Sequence, residues 1–348
     1  MNHTSYSGAT LALLVLVTPP VAAHEWHRHP NEGYQKSVYV LTGNPQKADM
    51  KDKPDIARHF EHCKNVKTRW DSDMLYVESN GLPDHNMMVG IRAWQQQVPL
   101  PQPYMGDNAW QIPLNPKLAD KPVSAKNSLY RGAIALAVNG VPIFNALNNR
   151  GEDAFLAGEL DKWGGHCGRG DDYHYHIAPV HLEDIVGKGQ PIAYALDGFP
   201  IYGLTEAGGS PVGQLDEFNG QLDEQGRYHY HATKKYPYIN GGMRGVVTIR
   251  GDQIEPQPRD SPIRPALQPL RGATITDFET TGQQSTLTYS LEGQTGTVTY
   301  SPDAAETWKF KYTEPNGRSS VETYERRPRG DGRRPPPPPR GNRPPPPR

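Results

Sequence analysis

One internal repeat constrains the fold more than any other feature of this sequence. The segment AIALAVNGVPIFN at 133–145 is echoed 58 residues later by PIAYALDGFPIYG at 191–203, and each copy is followed by Tyr-His-Tyr-His, at 173–176 and 228–231. An Asn-Gly or Asp-Gly pair between two apolar runs predicts a β-hairpin, because these residues tolerate positive φ. The repeat therefore predicts a duplicated β-rich domain over residues 36–250, in which each half contributes one Tyr-His-Tyr-His strand.

Composition and turn chemistry predict a mostly β protein throughout. Glycine and proline each number 35 among the 348 residues, which is typical of turn-rich β structure and not of a helical bundle. Residues 251–272 are rich in proline and are predicted to form a linker. Alternating runs and an Asn-Gly turn at 316–317 then predict a small antiparallel β-module over residues 273–325.

The beginning of the chain predicts export. Residues 1–23 contain an apolar stretch followed by small residues, which favours a signal peptide cleaved after Ala23, although no Lys or Arg precedes the stretch. No later stretch is apolar enough to span a bilayer, so we expect a secreted or periplasmic protein without a transmembrane segment. The mature chain would begin with a His-rich segment at 24–35, where His24, His27 and His29 are either a copper-chelating group or a solvated terminus.

The two cysteines have two interpretations. In an oxidising compartment Cys63 and Cys167 are expected to form a disulfide, because an isolated exported thiol is easily oxidised. Alternatively Cys167, which follows His166 directly, is a thiolate ligand of a metal ion.

Charge is divided unevenly along the chain. The tail at 326–348 carries eight Arg and one Asp, a charge of +7, which leaves −8 for the rest of a chain whose net charge is −1. Its ten prolines favour an extended, disordered segment without a core. The tail is either simply solvated or a tether to an anionic cell surface. The acidic body and the predicted export argue against a nucleic-acid partner.

Strand alternation makes the histidines of the two tetrapeptides candidate metal ligands. In an extended strand His174 and His176 share one face, as do His229 and His231, while the tyrosines face the other way. If the two halves pair around a pseudo-two-fold axis, four imidazoles can meet around copper or zinc. Asp171 and Asp172 could orient the ring N–H groups. The alternative is a set of buried neutral histidines that only form hydrogen bonds.

Five motifs in order resemble the YHYH-domain family. They are SNGLPDH at 79–85, NGVPIFN at 139–145, DKWGGHCGRGDDYHYH at 161–176, ALDGFPIYG at 195–203 and YHYHATKKYPYINGGMRG at 228–245. The resemblance implies an exported protein of a mainly bacterial, largely uncharacterised family, in which metal binding is inferred from the histidines. It adds His85 and His166 to the candidate ligands and makes Asp197 part of a family turn.

Three functions follow from these observations. The first is an exported metal-binding protein that uses the histidines of both tetrapeptides to hold copper or zinc. The second is a metal-dependent enzyme of unknown substrate, for which the sequence identifies no catalytic residue. The third is a structural or adhesion protein of the cell surface. A closed shell of four ligands would favour the first, and an open position beside a cleft would favour the second.

Overall fold

The computed structural model describes residues 52–206, 208–259, 261–304 and 306–326. The predicted signal peptide, the segment containing His24, His27 and His29, and the Pro/Arg-rich tail apart from Arg326 lie outside the described residues. Among the described residues, no helix is long and apolar enough to cross a membrane. Strands account for 39% and helices for 6%, which confirms the mostly β prediction.

The first part of the described chain contains short elements. The helices are α1 (Asp55–His59) and α2 (Glu183–Val186), and single 3-10 turns lie at Gly106–Asn108 and Val180–Leu182. The strands up to the first tetrapeptide are β1 (Val66–Trp70), β2 (Met74–Ser79), β3 (Trp110–Pro113), β4 (Leu118–Ser124), β5 (Ala133–Ala137), β6 (Pro142–Phe144), β7 (Gly165–Cys167) and β8 (Tyr173–Tyr175).

The later strands complete the second half of the repeat and the C-terminal sheet. They are β9 (Ala193–Ala195), β10 (Pro200–Tyr202), β11 (Gly220–Leu222), β12 (Tyr228–His231), β13 (Gly242–Gly245), β14 (Thr248–Arg250), β15 (Gln253–Glu255), β16 (Thr274–Thr281), β17 (Gln284–Leu291), β18 (Gln294–Ala304), β19 (Thr307–Thr313) and β20 (Ser319–Glu325).

An eight-stranded mixed sheet contains both tetrapeptides, and its strand order is symmetric. The order is β11-β12-β10-β9-β5-β6-β8-β7, so the two hairpins pair in the middle through β9 and β5. The second strand of each hairpin lies parallel to its own tetrapeptide strand, with Ile143 opposite Tyr175 and Ile201 opposite Tyr230. Each tetrapeptide strand then pairs antiparallel with an outer strand, β7 or β11. The predicted duplication is therefore confirmed, with a pseudo-two-fold axis between β5 and β9.

The two hairpin turns form where the sequence predicts them. Gly140 and Gly198 have φ of 77° and 94°, a region that glycine enters without strain. A side chain would also have no space at either turn, because an added Cβ would lie 2.5 Å from Cβ of Ser79 at Gly140 and 2.6 Å from the carbonyl oxygen of Pro113 at Gly198. Both turns thus need glycine for conformation and for close packing.

Smaller sheets surround the symmetric sheet. Strands β1, β2 and β3 form one antiparallel sheet, and β4 pairs with β13 and β14 with β15. Strands β16 to β20 form a five-stranded antiparallel meander, and Gly317 has positive φ in the predicted Asn-Gly turn before β20. The antiparallel C-terminal module is therefore confirmed. Its alternating burial, as in β17, places one face of the meander against the protein core.

The Pro-rich segment between the duplicated domain and the meander is packed against both. Arg264 is buried, and its guanidinium donates to both carboxylate oxygens of Asp171 at 2.7 and 2.8 Å. In the meander, the Tyr300 hydroxyl donates to the carbonyl oxygen of Pro99 at 2.7 Å. Both contacts join residues far apart in sequence, so the meander shares a continuous core with the domain.

The expected disulfide between Cys63 and Cys167 is not formed. Both are buried free thiols and are not within disulfide distance of each other. Cys63 lies between α1 and β1, whereas Cys167 ends β7, where its N–H points at the sulfur of Met88 at 3.2 Å. A disulfide needs Cα atoms within about 7 Å, and packing holds the two segments too far apart for that. The prediction was wrong because pairing was inferred from the compartment, without knowledge of position.

Candidate metal centre

Strand alternation places three histidines at one end of the symmetric sheet. His166 in β7 lies directly opposite His174 in β8, and His176 follows immediately after β8 on the same face as His174. Their candidate ligand nitrogens all lie within 4.8 Å of one another. His174 and His176 are buried and His166 is half-buried. We call this group the three-histidine centre.

Backbone carbonyls fix the tautomer of each imidazole. The Nδ1–H of every ring in the three-histidine centre donates to a carbonyl oxygen, at 3.1 Å to Glu159 from His166, 3.0 Å to Asp172 from His174, and 2.6 Å to Asn145 from His176. In a neutral ring whose Nδ1 is protonated, Nε2 carries only a lone pair. The three Nε2 atoms are thereby left as acceptors, an arrangement typical of histidines that bind metals.

The lone pairs of two of these rings face each other. Nε2 of His166 and Nε2 of His176 lie only 3.1 Å apart. A proton between them is disfavoured: burial and then the neighbouring His174 lower the pKa of His176 to about 3, and burial followed by the other two histidines holds the pKa of His166 well below 6.5. A metal ion would convert this repulsion into coordination. The donor set therefore fits a cation that prefers neutral imidazole.

The surroundings of the centre hold the rings in place. Phe144 stacks on His174 with ring centroids 3.9 Å apart. Asp172 accepts from Nδ1 of His174 through its carbonyl oxygen, and its carboxylate lies 3.3 Å from the same nitrogen. Gly168 packs so closely that an added Cβ would lie 2.7 Å from the Asp172 carboxylate and 3.1 Å from the His174 ring. Asp172 thus occupies the orienting position predicted for it.

A cavity of about 310 Å³ opens over the three-histidine centre. Met88, Ile91, Trp94 and Phe144 contribute apolar wall, and Arg131 and Arg169 are exposed side chains of the lining. Glu159 supplies the carboxylate of the lining, but that carboxylate is bound to Arg150 and Asn148. Within the described chain, Arg131 and Arg169 have neither hydrogen-bond nor ion-pair partners for their guanidinium groups. The cavity therefore presents positive charge beside the three imidazoles.

The four tetrapeptide histidines do not meet in one site. Strands β8 and β12 are separated by β6, β5, β9 and β10, which corresponds to about 24 Å at the usual strand spacing of about 4.8 Å. The prediction of one shared centre was wrong because it assumed that the pseudo-two-fold axis brings the tetrapeptides together. The axis instead runs between the hairpins and places the tetrapeptides near opposite edges of the sheet, which we call its two wings.

A second group of potential ligands surrounds the other tetrapeptide. It consists of Glu206, His229 and His231, with ligand atoms within 4.8 Å of one another. The Glu206 carboxylate lies 3.3 Å from Nε2 of His231 and 3.7 Å from Nε2 of His229. Nδ1–H of His231 donates to the carbonyl oxygen of Gly203 at 3.2 Å, so its Nε2 also faces inward as an acceptor. Burial lowers the pKa of His231.

Gln221 occupies, in this second group, the position that His166 has in the first. Gln221 lies opposite His229 in β11, as His166 lies opposite His174 in β7. Its amide nitrogen is 3.4 Å from Nε2 of both His229 and His231 and also contacts Glu206. We call Glu206, Gln221, His229 and His231 the second centre.

The tyrosines of the repeat lock the opposite face of the sheet. Tyr173 donates to Asp161 at 2.9 Å, and its counterpart Tyr228 donates to Asp216 at 2.8 Å. Asp161 also accepts from the N–H groups of Met88, Trp163 and Gly165. Burial raises the pKa of Asp161 to about 6. The Tyr-His alternation thus separates a structural tyrosine face from the face that bears the candidate ligands.

Other predicted site residues lie elsewhere. His85 is on the tyrosine face, where its ring stacks on Trp163 and its Nε2 is 2.8 Å from the Tyr175 hydroxyl. Asp171 binds Arg264 and no histidine. Cys167 lines the cavity, and burial holds the pKa of its thiol well above the usual range, which disfavours the thiolate that a metal would bind. Asp197 accepts from Tyr230 at 2.6 Å and supports its turn.

Sequence reasoning missed Glu206 and Gln221. Glu206 follows β10 at the place where Asn148 follows β6, at the same offset of 58 residues as the hairpins. Gln221 lies 55 residues after His166, an offset that also relates Asp161 to Asp216 and Tyr173 to Tyr228. Extending the alignment of the repeat through these intervals would have identified both.

Comparison with known proteins agrees with three of the five motifs, those at 139–145, 161–176 and 195–203. Residues 109–210 match the family model described as YHYH protein. The match includes the first tetrapeptide and ends before the second. No curated protein and no solved structure matches the chain significantly.

Proposed function

We propose, from the premise that this chain contains a YHYH domain, that it is an exported metal-binding protein whose three-histidine centre holds copper or zinc. The observation that carries the proposal is the commitment of all three Nδ1–H groups to backbone carbonyls, which leaves three Nε2 atoms converging. Hydrogen-bonded structural histidines would use both ring nitrogens with neutral partners. Imidazole is a common ligand of both zinc and copper.

Metal analysis of the purified mature protein tests this proposal. We expect zinc or copper to bind stoichiometrically at the three-histidine centre, and His176→Ala to remove that ion. Metal should also raise the melting temperature of the wild type but less that of the variant, since a ligand bound only to the native state stabilises it. The exposed His62 supplies a control, because His62→Ala removes an imidazole outside both centres. Equal binding by wild type and His176→Ala would rule out this centre.

A metal-dependent enzyme is the second candidate function. Three protein ligands beside a cavity of about 310 Å³ leave a coordination position open, as catalytic zinc sites do. A metal there would polarise or deprotonate a bound water or substrate. The free charges of Arg131 and Arg169 and the apolar wall favour an anionic substrate with an apolar portion.

Cobalt substitution tests the open position. Benzoate, a small anion with an apolar ring, should change the visible absorption spectrum of the cobalt(II)-loaded protein if it enters the open position. Arg169→Ala should weaken this response without changing the number of bound ions, whereas the exposed Arg58→Ala, away from the cavity, should leave it unchanged. A spectrum that does not respond to benzoate would argue for a closed, non-catalytic site.

A further inference from the structure

We infer that the second centre is a separate, closed metal site in which Glu206, Gln221, His229 and His231 all coordinate one divalent cation. This inference does not depend on the three-histidine centre, because the two groups lie on opposite wings of the sheet. The site differs in kind as well as in place, with two imidazole nitrogens and two side-chain oxygens as ligands.

The spacing of the four ligand groups fits a tetrahedral ion. Zinc binds nitrogen and oxygen at about 2.0–2.1 Å, so neighbouring ligand atoms of a tetrahedral site lie about 3.3 Å apart. The Glu206 carboxylate is 3.3 Å from Nε2 of His231 and 3.7 Å from that of His229. The end of the Gln221 side chain is 3.4 Å from each of the same nitrogens. Four edges of a tetrahedron are thus already close to the required length.

The ligand role of Gln221 requires its carbonyl oxygen to face the ion. The amide has an oxygen and a nitrogen at its end, and rotation about the last side-chain bond exchanges them. With the nitrogen inward, its N–H groups bind the acceptors of Glu206 and the histidines, so the amide takes the place of a cation. With the oxygen inward, four acceptors converge, an arrangement that a cation stabilises.

The types of the four ligands determine which class of cation the second centre prefers. A carboxylate and an amide oxygen with two imidazoles favour borderline or harder divalent ions such as zinc or manganese over copper(I), which prefers softer ligands. His231 is fully buried and the Glu206 side chain is 26% exposed, so an ion can enter from the Glu206 side. A shell closed by four protein ligands is typical of structural zinc and leaves no position for a substrate.

Zinc stoichiometry in matched variants tests the inference. We expect two zinc ions in the wild type, one in His176→Ala and one in Glu206→Ala, which removes the carboxylate without leaving another side-chain oxygen. If His176→Ala leaves the zinc count unchanged while Glu206→Ala lowers it, the second centre stands and the three-histidine centre fails. If Glu206→Ala leaves the count unchanged, the second centre is not a metal site and the inference is overturned.

Two replacements of Gln221 test whether its side chain is a ligand of the ion or whether its N–H groups take the place of the ion. Gln221→Leu should weaken zinc at the second centre at least tenfold, whereas Gln221→Glu keeps an oxygen ligand and should strengthen it at least tenfold. If the N–H groups of the amide are what the centre needs, Gln221→Glu will bring two carboxylates together, lower the melting temperature and add no affinity, which would contradict the inference. Gln221→Glu also gives a result if Gln221→Leu does not fold.

Discussion

At the scale of single residues, one difference separates the two halves of the repeat. His166 and Gln221 occupy equivalent positions in β7 and β11, opposite the first histidine of each tetrapeptide. The imidazole of His166 leaves the three-histidine centre open to a cavity, while the amide of Gln221 fills the space between Glu206 and two histidines. Duplication has therefore kept the backbone and changed the candidate ligands.

Asp161 gives a residue-scale prediction for the dependence of stability on pH. Burial raises the pKa of Asp161 to about 6 in the folded protein, above its unfolded value near 3.8. The folded state therefore binds the proton more tightly, and the stability from this group is fully present below pH 3.8 and is lost as pH rises through about 6. We expect Asp161→Asn to remove this component, about 2 kcal/mol, from the difference in unfolding free energy between pH 4 and pH 7.

Urea unfolding of wild type and variant at a series of pH values measures that difference. Because other groups titrate in the same range, only the gap between the two curves reports Asp161. The exposed Asp216 accepts equivalent bonds from Tyr228 and two backbone N–H groups, so Asp216→Asn controls for the loss of hydrogen bonds alone. Parallel curves for wild type and Asp161→Asn would refute the raised pKa.

At the scale of elements, the hairpin turns hold the symmetric sheet together. Gly198 connects β9 and β10, and its positive φ and the nearby Pro113 carbonyl leave no room for a side chain. We expect Gly198→Ala to destabilise the protein by about 2–4 kcal/mol more than Gly226→Ala. Gly226 also has positive φ, in the turn between β11 and β12, but an added Cβ there meets nothing within 4 Å, so this control isolates backbone strain.

Equilibrium unfolding in urea distinguishes the two turns. Similar losses in both glycine variants would mean that the Pro113 segment moves aside and that close packing at Gly198 contributes little. A much larger loss at Gly198, with unchanged zinc stoichiometry at the three-histidine centre, would locate the effect in the second half of the sheet.

At the scale of the whole molecule, a buried ion pair joins the Pro-rich segment that precedes the meander to the duplicated domain. Arg264 is 5% exposed and Asp171 is 4% exposed, so neither charge has water as an alternative partner. We expect Arg264→Met to cost about 3–5 kcal/mol, because it leaves the Asp171 carboxylate buried and unpaired. Adding Asp171→Asn should recover part of that loss. If the meander and the domain share one core, two spectroscopic probes should report the same single unfolding transition. Two separate transitions would contradict a shared core.

The cysteines give a second prediction at this scale. We expect the native protein to be unreactive towards a thiol reagent and both thiols to react after unfolding in denaturant. Burial raises the pKa of Cys63 to about 11 and that of Cys167 well above 9, and both thiols are shielded from solvent. Thiol titration with mass spectrometry measures both states. If neither cysteine reacted after unfolding, the result would contradict two free thiols and support a disulfide between them.

The sequence by itself determined the features that depend on local rules. Glycine in an Asn-Gly or Asp-Gly pair specified the two hairpin turns, and the period of two along a strand put the histidines and the tyrosines of each tetrapeptide on opposite faces. Only the tertiary structure decided which candidate ligands meet, because strand order depends on pairing between distant segments. The parallel pairing of β6 with β8 and of β10 with β12 moved the tetrapeptides to opposite wings, where His166 joins one and Glu206 and Gln221 join the other. It also separated Cys63 from Cys167, since a disulfide depends on distance in the fold and not on the number of cysteines.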